Sequence, residues 1–264
     1  MKYTLRPPSA FLLDLDGTLY SGDQPIEGAG EALVRLRERG TPYRLVTNTT
    51  SRSRALLVQR LRGYGFEASA EELFTATRAG VELAKAAGYR LVAPFVAEPA
   101  LVDLDDLDCA GGTSGRPAAA VPDAVLIGDL GDRWSYALLQ EAFDHVMSGA
   151  ALIALSRDRY WLKGARLVLD AGPFVAGLEF ASGKPAIVAG KPSAAFYTTA
   201  LRSMGVDSPA SAAMVGDDLW SDVEGAQRAG LQGWLVRTGK YRESALTESG
   251  IVPDLILDSV AVLK

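Results

Sequence analysis

The chain has 264 residues, of which 48% are hydrophobic, and carries a formal net charge of -5 with a pI near 5.1. This length and apolar content are enough to bury one large core or two modest ones, and they exclude a disordered chain. The negative charge gives no general attraction to nucleic acid or to anionic membrane surfaces, so we expect neither as a partner.

The sequence is poor in the side chains that dominate many active sites. Cys109 is the only cysteine and His145 the only histidine. The lone cysteine excludes an intramolecular disulfide and predicts a reducing compartment, which we take to be the cytoplasm. One histidine excludes a metal site with two histidine ligands. No secretory signal and no membrane-length apolar run is expected either. Carboxylates must therefore carry any catalysis.

The first predicted element is an apolar strand over residues 10–14 that delivers two carboxylates, Asp14 and Asp16, to its carboxyl end. Gly17 follows and permits an abrupt turn. Open α/β sheets bind ligands beyond the carboxyl ends of their strands, so we expect both carboxylates to face a cleft. An ordinary Asp-Gly turn is the simpler alternative.

Helix and strand patterns then alternate. A helix over residues 28–40 and a strand over 43–46 complete a βαβ unit, and the strand ends in a second polar pair, Thr47 and Asn48. We further expect helices over 53–64 and 79–87, an acidic helix start at 70–73, and a strand over 89–96 in which Pro94 favours an edge position or a bulge.

The middle of the chain has an α/β pattern of its own. Residues 103–123 become rich in Gly, Ala and Pro, and their latter half is predicted to be a flexible surface loop. A strand over 124–128, a helix over 136–147 and a strand over 151–155 follow. This stretch is predicted to fold as an inserted domain.

The last third returns to the first pattern. Lys191 lies in a Gly-Lys-Pro turn, and a strand ends in Gly216, Asp217 and Asp218. A similar strand end at Gly128-Asp129 is a less favoured candidate, because the later copy follows Lys191 and carries the downstream Asp222. The predicted elements are helices at 193–204 and 222–229 and strands at 212–215, 233–236 and 255–257.

The polar motifs occur in one order along the chain and lie at predicted strand ends or in loops. In this order they resemble the four signature motifs of the haloacid dehalogenase superfamily of phosphohydrolases. The resemblance implies an α/β protein with a Rossmann-like three-layer α/β/α core, a parallel sheet and an inserted α/β cap. The residues that carry it are Asp14, Asp16, Gly17 and Thr18, then Thr47 and Asn48, then Lys191, and finally Asp217 with Asp222.

The resemblance extends over nearly the whole chain. It implies a discontinuous catalytic core, residues 1–78 and 184–264, and a cap over 79–183 that chooses the substrate. The large α/β cap is similar to that of the nitrophenylphosphatase-like branch. Arg159-Tyr160-Trp161 and the 237–241 segment look most like the phospholysine phosphohistidine inorganic pyrophosphate phosphatase subgroup.

Within this family, Asp14 would attack phosphorus and Asp16 would protonate the leaving oxygen and later take a proton from water. Mg²⁺ would be bound by Asp14, the backbone carbonyl of Asp16 and Asp217, an oxygen set that suits its octahedral preference. Thr47 and Asn48 would donate hydrogen bonds to the phosphate.

Two further roles follow from the resemblance. Lys191 would offset the developing negative charge of the phosphate, and Asp222 would orient Lys191 or a metal-bound water. In the cap, Asp158 and Arg159 are candidate substrate contacts. The branch tends to have Asn-x-Asp where this chain has Ser156-Arg157-Asp158, and these charges also fit a solvated face.

The sequence therefore predicts a Mg²⁺-dependent phosphatase that hydrolyses small phosphorylated substrates through an aspartyl-phosphate. Phosphomonoesters, pyrophosphate and N-phosphorylated amino acids are the expected classes. The branch is often dimeric, and a homodimer through the cap is expected. A phosphotransferase or phosphomutase, and a catalytically silent protein that binds a phosphate ligand, are the alternatives.

Overall fold

The computed structural model describes residues 6–163 and 166–263. Within this part of the chain, no helix combines the length and the apolar character needed to span a bilayer.

The strands are β1 Ala10–Asp14, β2 Tyr20–Ser21, β3 Gln24–Pro25, β4 Tyr43–Thr47, β5 Leu73–Thr75, β6 Leu91–Phe95, β7 Asp108–Cys109, β8 Ala124–Ile127, β9 Ala151–Ala154, β10 Tyr160–Lys163, β11 Arg166–Leu169, β12 Ile187–Val188, β13 Ala212–Gly216, β14 Gln232–Val236 and β15 Leu255–Leu257. The α-helices are α1 Ala29–Glu38, α2 Arg54–Gly63, α3 Ala76–Ala86, α4 Tyr136–Met147, α5 Gly172–Ser182, α6 Ala194–Arg202, α7 Gly225–Arg228 and α8 Glu243–Ser249.

The chain divides into two compact units. The first comprises residues 1–47, 58–74 and 191–264, and the second residues 48–57 and 75–190. The predicted core and cap had single boundaries near residues 78 and 184. The observed division also places 48–57 in the second unit, where Thr50 accepts a hydrogen bond from the Asp129 amide and Arg54 pairs with Asp103.

The first unit contains a six-stranded sheet in the order β15-β14-β13-β1-β4-β5. Strand β1 pairs in parallel with both β13 and β4, and β14 pairs in parallel with β13 and β15. Strands β1 and β13 are buried along their whole length, which explains why both are apolar runs rather than alternating patterns. The predicted α/β class with a parallel sheet is confirmed.

The second unit contains a five-stranded sheet in the order β12-β9-β8-β6-β7, with parallel pairing throughout. The predicted edge position for the strand that contains Pro94 was wrong, because β6 has a neighbour on each side. The partner β7 ends at Cys109, level with Val92, so no ladder hydrogen bond is required of Pro94 on that side. There the Pro94 carbonyl accepts a hydrogen bond from the Thr113 amide.

The Gly-rich loop that follows β7 is anchored at its start. The Thr113 hydroxyl is hydrogen-bonded to the carbonyls of Pro94 and Val96, and the Gly112 amide donates to Glu141. These bonds join the first residues of the loop to neighbouring elements, and the flexibility of the loop stays a prediction.

The acidic helix start predicted near residue 71 is also wrong, because this stretch enters strand β5. The Glu72 carboxylate accepts hydrogen bonds from Arg37 Nε at 3.1 Å, from the Ser69 amide at 2.9 Å and from the Tyr43 hydroxyl. Glu72 is therefore a tertiary partner of other elements and not the first turn of a helix.

Candidate active site

Three neighbouring strands of the first unit carry polar side chains at their carboxyl ends. Asp14 is the last residue of β1 and Thr47 the last of β4, while Asp217 directly follows β13. Because the three strands are parallel neighbours, their carboxyl ends meet at one sheet edge. All three side chains are buried. The sheet thus brings together motifs that lie some two hundred residues apart in sequence.

Lys191 lies between the carboxylates of Asp14 and Asp222. Its Nζ is 2.6 Å from Asp14 Oδ1 and 2.6 Å from Asp222 Oδ1, and all three residues are buried. Burial would lower the pKa of Lys191, but the two carboxylates outweigh it and raise the pKa well above its ordinary value. The ammonium is therefore charged, and Asp222 holds it against Asp14.

The carboxylates of Asp14, Asp217 and Asp222 form a cluster, with one oxygen of each within 4.8 Å of the others. Desolvation, reinforced by the neighbouring carboxylates, raises the pKa of Asp217 to about 8. Desolvation, opposed by Lys191 and reinforced by Asp14, raises the pKa of Asp222 to about 7. Burial likewise raises the pKa of Asp14 despite the Lys191 ammonium.

This donor set fits a divalent cation. Lys191 is the ammonium bonded within this set of three carboxylates, while the Lys240 ammonium, which also attracts Asp217, is paired with Asp218. A further positive charge is therefore needed if all three carboxylates are to be ionised together. Oxygen-only ligands are those that Mg²⁺ prefers. The predicted metal ligands were the Asp14 and Asp217 side chains and the Asp16 backbone carbonyl. The cluster of side chains contains Asp14 and Asp217, and its third member is Asp222.

Asp16 lies apart from this cluster, in the turn after β1, and has exposed surface. Desolvation by the surrounding protein nevertheless raises its pKa, while Arg60 and Lys240 act in the opposite direction. The backbone amides of Gly22 and Gly17 also act to lower this pKa. A raised pKa with remaining exposure suits a group that must both give and take a proton.

The second unit contains Asn48 and the two candidate cap residues. Asn48 Nδ2 donates to Asp158 Oδ2 at 3.0 Å, and the buried Ser156 hydroxyl donates to the same oxygen at 3.0 Å. The Asp158 carboxylate is thus engaged within the unit. Arg159 is exposed, with its guanidinium carbon 5.8 Å from the centre of the Tyr160 ring.

The Gly128-Asp129 pattern resembles the Gly216-Asp217 strand end and was the less favoured candidate for that motif. In the structure it has a local role. Asp129 lies in the second unit, and its carboxylate accepts a hydrogen bond from the Gly131 amide at 2.8 Å. This bond caps a turn, and Asp129 is not part of the cluster formed by Asp14 and its two partners.

The sequence interpretation gave no role to two sets of residues that surround the site. Arg60 Nη2 donates to the Gly22 carbonyl at 2.7 Å, and its guanidinium stacks on the Tyr20 ring at 4.7 Å. The turn over residues 238–240 follows β14 and contacts Asp217. A signal for this turn was available, because Thr-Gly-Lys follows a buried strand just as the recognised motifs do.

Comparisons with known proteins agree with these motifs. A family model described as haloacid dehalogenase-like hydrolase matches residues 11–110, and a second, described as HAD-hydrolase-like, matches residues 188–263. Both matched ranges include strand ends of the first unit.

Similar proteins cover almost the full chain. Haloacid dehalogenase-like hydrolase domain-containing protein 2 of Bos taurus is 38% identical over 256 residues, covering 97% of this chain and 94% of the relative. Phospholysine phosphohistidine inorganic pyrophosphate phosphatase of Homo sapiens is 35% identical over 258 residues, covering 95% and 90%. A glycerol phosphate phosphatase from Mycobacterium tuberculosis, solved in complex with magnesium, superimposes with a TM-score of 0.83 at 30% identity, covering 100% of this chain and 78% of that one.

Proposed function

Because the chain belongs to the haloacid dehalogenase-like hydrolase family, we propose that it is a Mg²⁺-dependent phosphatase that forms an aspartyl-phosphate on Asp14. The observation that carries this proposal is the arrangement of Lys191 between Asp14 and Asp222, with Asp217 completing the carboxylate cluster. A nucleophile, a cation and a metal-type donor set are the parts that phosphoryl transfer requires.

In the first step, a carboxylate oxygen of Asp14 forms a bond to phosphorus while the bond from phosphorus to the leaving oxygen breaks. Asp16 donates its proton to that leaving oxygen. In the second step, Asp16 accepts a proton from water, whose oxygen attacks phosphorus and releases Asp14. The raised pKa of Asp16 favours the protonated carboxyl that the first step needs.

Lys191 and Thr47 are proposed to bind phosphate oxygens, Lys191 through its ammonium and Thr47 through its hydroxyl. The Asn48 backbone amide is proposed to donate a third hydrogen bond. Asp222 supports the charge of Lys191 through the 2.6 Å ion pair. Lys191 therefore acts on the negative charge that develops in the transition state.

Asp14, Asp217 and the Asp16 backbone carbonyl are proposed to hold Mg²⁺. When bound, the ion would shield the repulsion between the Asp14 carboxylate and the incoming phosphate. Without such a charge, the raised pKa of Asp217 favours its neutral form. Metal binding and ionisation of Asp217 are therefore expected to be linked.

The proposed substrates are small phosphorylated molecules. Relatives are named for phospholysine, phosphohistidine and pyrophosphate, and a structural neighbour is named for glycerol phosphate. Phosphomonoesters, pyrophosphate and N-phosphorylated amino acids are accordingly the classes to test. The second unit is proposed to select the leaving group, with Asp158 and Arg159 as candidate contributors, and to provide the surface of a homodimer.

Phosphate release from a panel of these classes tests the proposal. The panel contains para-nitrophenyl phosphate, pyrophosphate, phospholysine, phosphohistidine, sugar phosphates and nucleotides, each assayed with Mg²⁺ and with a chelator. Asp14→Asn, which is nearly isosteric, is the blank. We expect release that requires both Mg²⁺ and Asp14. Release that persists in Asp14→Asn would contradict the mechanism, and Mg²⁺-independent release would contradict the metal requirement.

Product analysis separates the alternatives. Transfer to an acceptor other than water would yield a new phosphorylated product instead of inorganic phosphate and would indicate a phosphotransferase. Binding of phosphate without turnover of any panel member would indicate a silent ligand-binding protein.

A further inference from the structure

The turn over residues 238–240, which follows strand β14, contacts both Asp217 and the loop after Asp14. The Lys240 backbone amide donates to Asp217 Oδ2 at 2.7 Å. The Thr238 hydroxyl donates to the Gly17 carbonyl at 2.5 Å. One short turn thus touches a candidate metal ligand and the segment that contains Asp16.

Asp217 Oδ2 is enclosed by backbone on two sides. A Cβ placed on Gly17 would lie 1.9 Å from this oxygen, and a Cβ placed on Gly239 would lie 2.1 Å from it. Both glycines have positive φ, at 86° and 59°. Two chain segments therefore approach the same carboxylate oxygen so closely that neither can carry a side chain.

We propose that the 238–240 turn is a positioning element that fixes the orientation of the Asp217 carboxylate for a divalent cation. Because Oδ2 lies between Gly17 and Gly239 and accepts a hydrogen bond from the Lys240 amide, the carboxylate cannot rotate. Oδ1 is then the oxygen available to a metal ion. Groups that orient metal ligands commonly contribute strongly to metal affinity, and their loss typically weakens metal binding by about 10- to 100-fold.

The Thr238 hydrogen bond extends the same role to the catalytic loop. It ties the turn to the Gly17 carbonyl, one residue after Asp16, whose backbone carbonyl is a second proposed Mg²⁺ ligand. The turn thus holds two proposed ligands, one from β13 and one from the loop after β1, in a fixed mutual arrangement. This inference rests on the proposed function.

The test measures Mg²⁺ binding without substrate. Unfolding midpoints are recorded over a Mg²⁺ titration, and the affinity is obtained by fitting the rise of the midpoint, because the stabilisation grows as RT ln(1 + [Mg²⁺]/Kd). Gly239→Ala places a methyl group against Asp217 Oδ2. Gly40→Ala is the matched control, because Gly40 has a φ of 62° and nothing within 4 Å of an added Cβ. Both variants carry similar backbone strain, so they differ in the contacts of the added methyl group with Asp217 and with the Gly17 Cα.

We expect Gly239→Ala to need about 10- to 100-fold more Mg²⁺ than the wild type, and Gly40→Ala to match the wild type. Equal Mg²⁺ requirements in the two variants would overturn the inference. If Gly239→Ala does not fold, Thr238→Val decides, with about a 10-fold higher requirement expected and a wild-type value contradicting the inference. A wild-type protein without any Mg²⁺ response would instead contradict the proposed function itself.

Discussion

At the scale of single residues, the site is defined by an imbalance of charge. Asp14, Asp217 and Asp222 are buried together, and the ammonium bonded to two of them is that of Lys191, while the Lys240 ammonium is paired with a fourth carboxylate, that of Asp218. Burying carboxylates that lack a counter-charge is costly, so the metal-free site retains protons instead. This desolvation cost is the main reason why the pKa values of Asp217 and Asp222 are raised.

This imbalance predicts how pH affects the metal-free protein. The pKa of Asp217 is raised to about 8 and that of Asp222 to about 7, so the folded state keeps protons that the unfolded chain has released. Stability must therefore fall as pH rises through this window. We expect a chelator-treated sample to lose about 4 kcal/mol of unfolding free energy between pH 6 and pH 8.5. Denaturant unfolding at several pH values measures this.

Asp217→Asn is the control for the pH prediction. The amide stays neutral and can still accept the hydrogen bond from Lys240, so we expect a shallower decline in this variant. Saturating Mg²⁺ should also remove much of the decline in the wild type, because the cation favours the ionised carboxylates. The same pH dependence in the wild type and in Asp217→Asn would contradict this account.

At the scale of secondary-structure elements, the polar side chains at the strand ends are held in place by neighbouring loops and hairpins. The loop after β9 is one case, because Asp158 Oδ2 accepts hydrogen bonds from both Asn48 and Ser156. Asn48 directly follows Thr47 in the chain. The orientation of the second predicted motif therefore depends on a carboxylate 110 residues away.

We predict that Asp158→Ala destabilises the protein by about 1–3 kcal/mol, because it removes the acceptor of two hydrogen bonds. Arg159→Ala should change stability by less than about 0.5 kcal/mol, since Arg159 is exposed. Urea unfolding of both variants measures the difference. Equal stabilities would show that the Asp158 hydrogen bonds contribute nothing to the loop.

The β2–β3 hairpin is the second case. It follows the Asp16 turn directly, and the Gly22 amide in its loop acts to lower the pKa of the Asp16 carboxyl. Arg60, from helix α2, anchors the hairpin through the Gly22 carbonyl and the Tyr20 ring. Cation–π contacts of this kind are worth about 0.5–2 kcal/mol. Arg60 is therefore placed to fix the position of the proposed proton donor.

We predict that Arg60→Met lowers kcat by about 10-fold and changes KM less, because a displaced proton donor affects the transition state more than substrate binding. Steady-state kinetics with Mg²⁺ measures both constants. Arg228→Met is the matched control, since Arg228 is an exposed arginine paired with Glu224 on its own helix. A kcat for Arg60→Met equal to that of Arg228→Met would contradict the anchoring role.

At the scale of the whole molecule, the sequence was most informative where local and tertiary preferences agree. The strands β1 and β13 are continuous apolar runs and β4 is interrupted by Arg44, all three have polar residues at their carboxyl ends, and sequence analysis found all three. Helix α4 was predicted with its observed limits, residues 136–147. The family, the α/β class and the order of the motifs followed from such segments.

The remaining structure depends on contacts that no local pattern encodes. The acidic pair near residue 71 is typical of a helix start, yet Glu72 is a tertiary hydrogen-bond acceptor. Two-residue strands such as β2 and β3 are too short to show a period. The contact of Lys240 with Asp217 uses a backbone amide, so the side chain gives no sign of it.

The formation of an aspartyl-phosphate on Asp14 is the central claim, and trapping it is the most direct test. The enzyme is mixed with the best substrate of the panel and Mg²⁺, quenched in acid within one turnover and reduced with borohydride, which converts an acyl phosphate of aspartate to homoserine. We predict homoserine at position 14 by peptide mass spectrometry, and none without substrate. Turnover with Asp14 unmodified under these conditions, or modification at another carboxylate, would contradict the account.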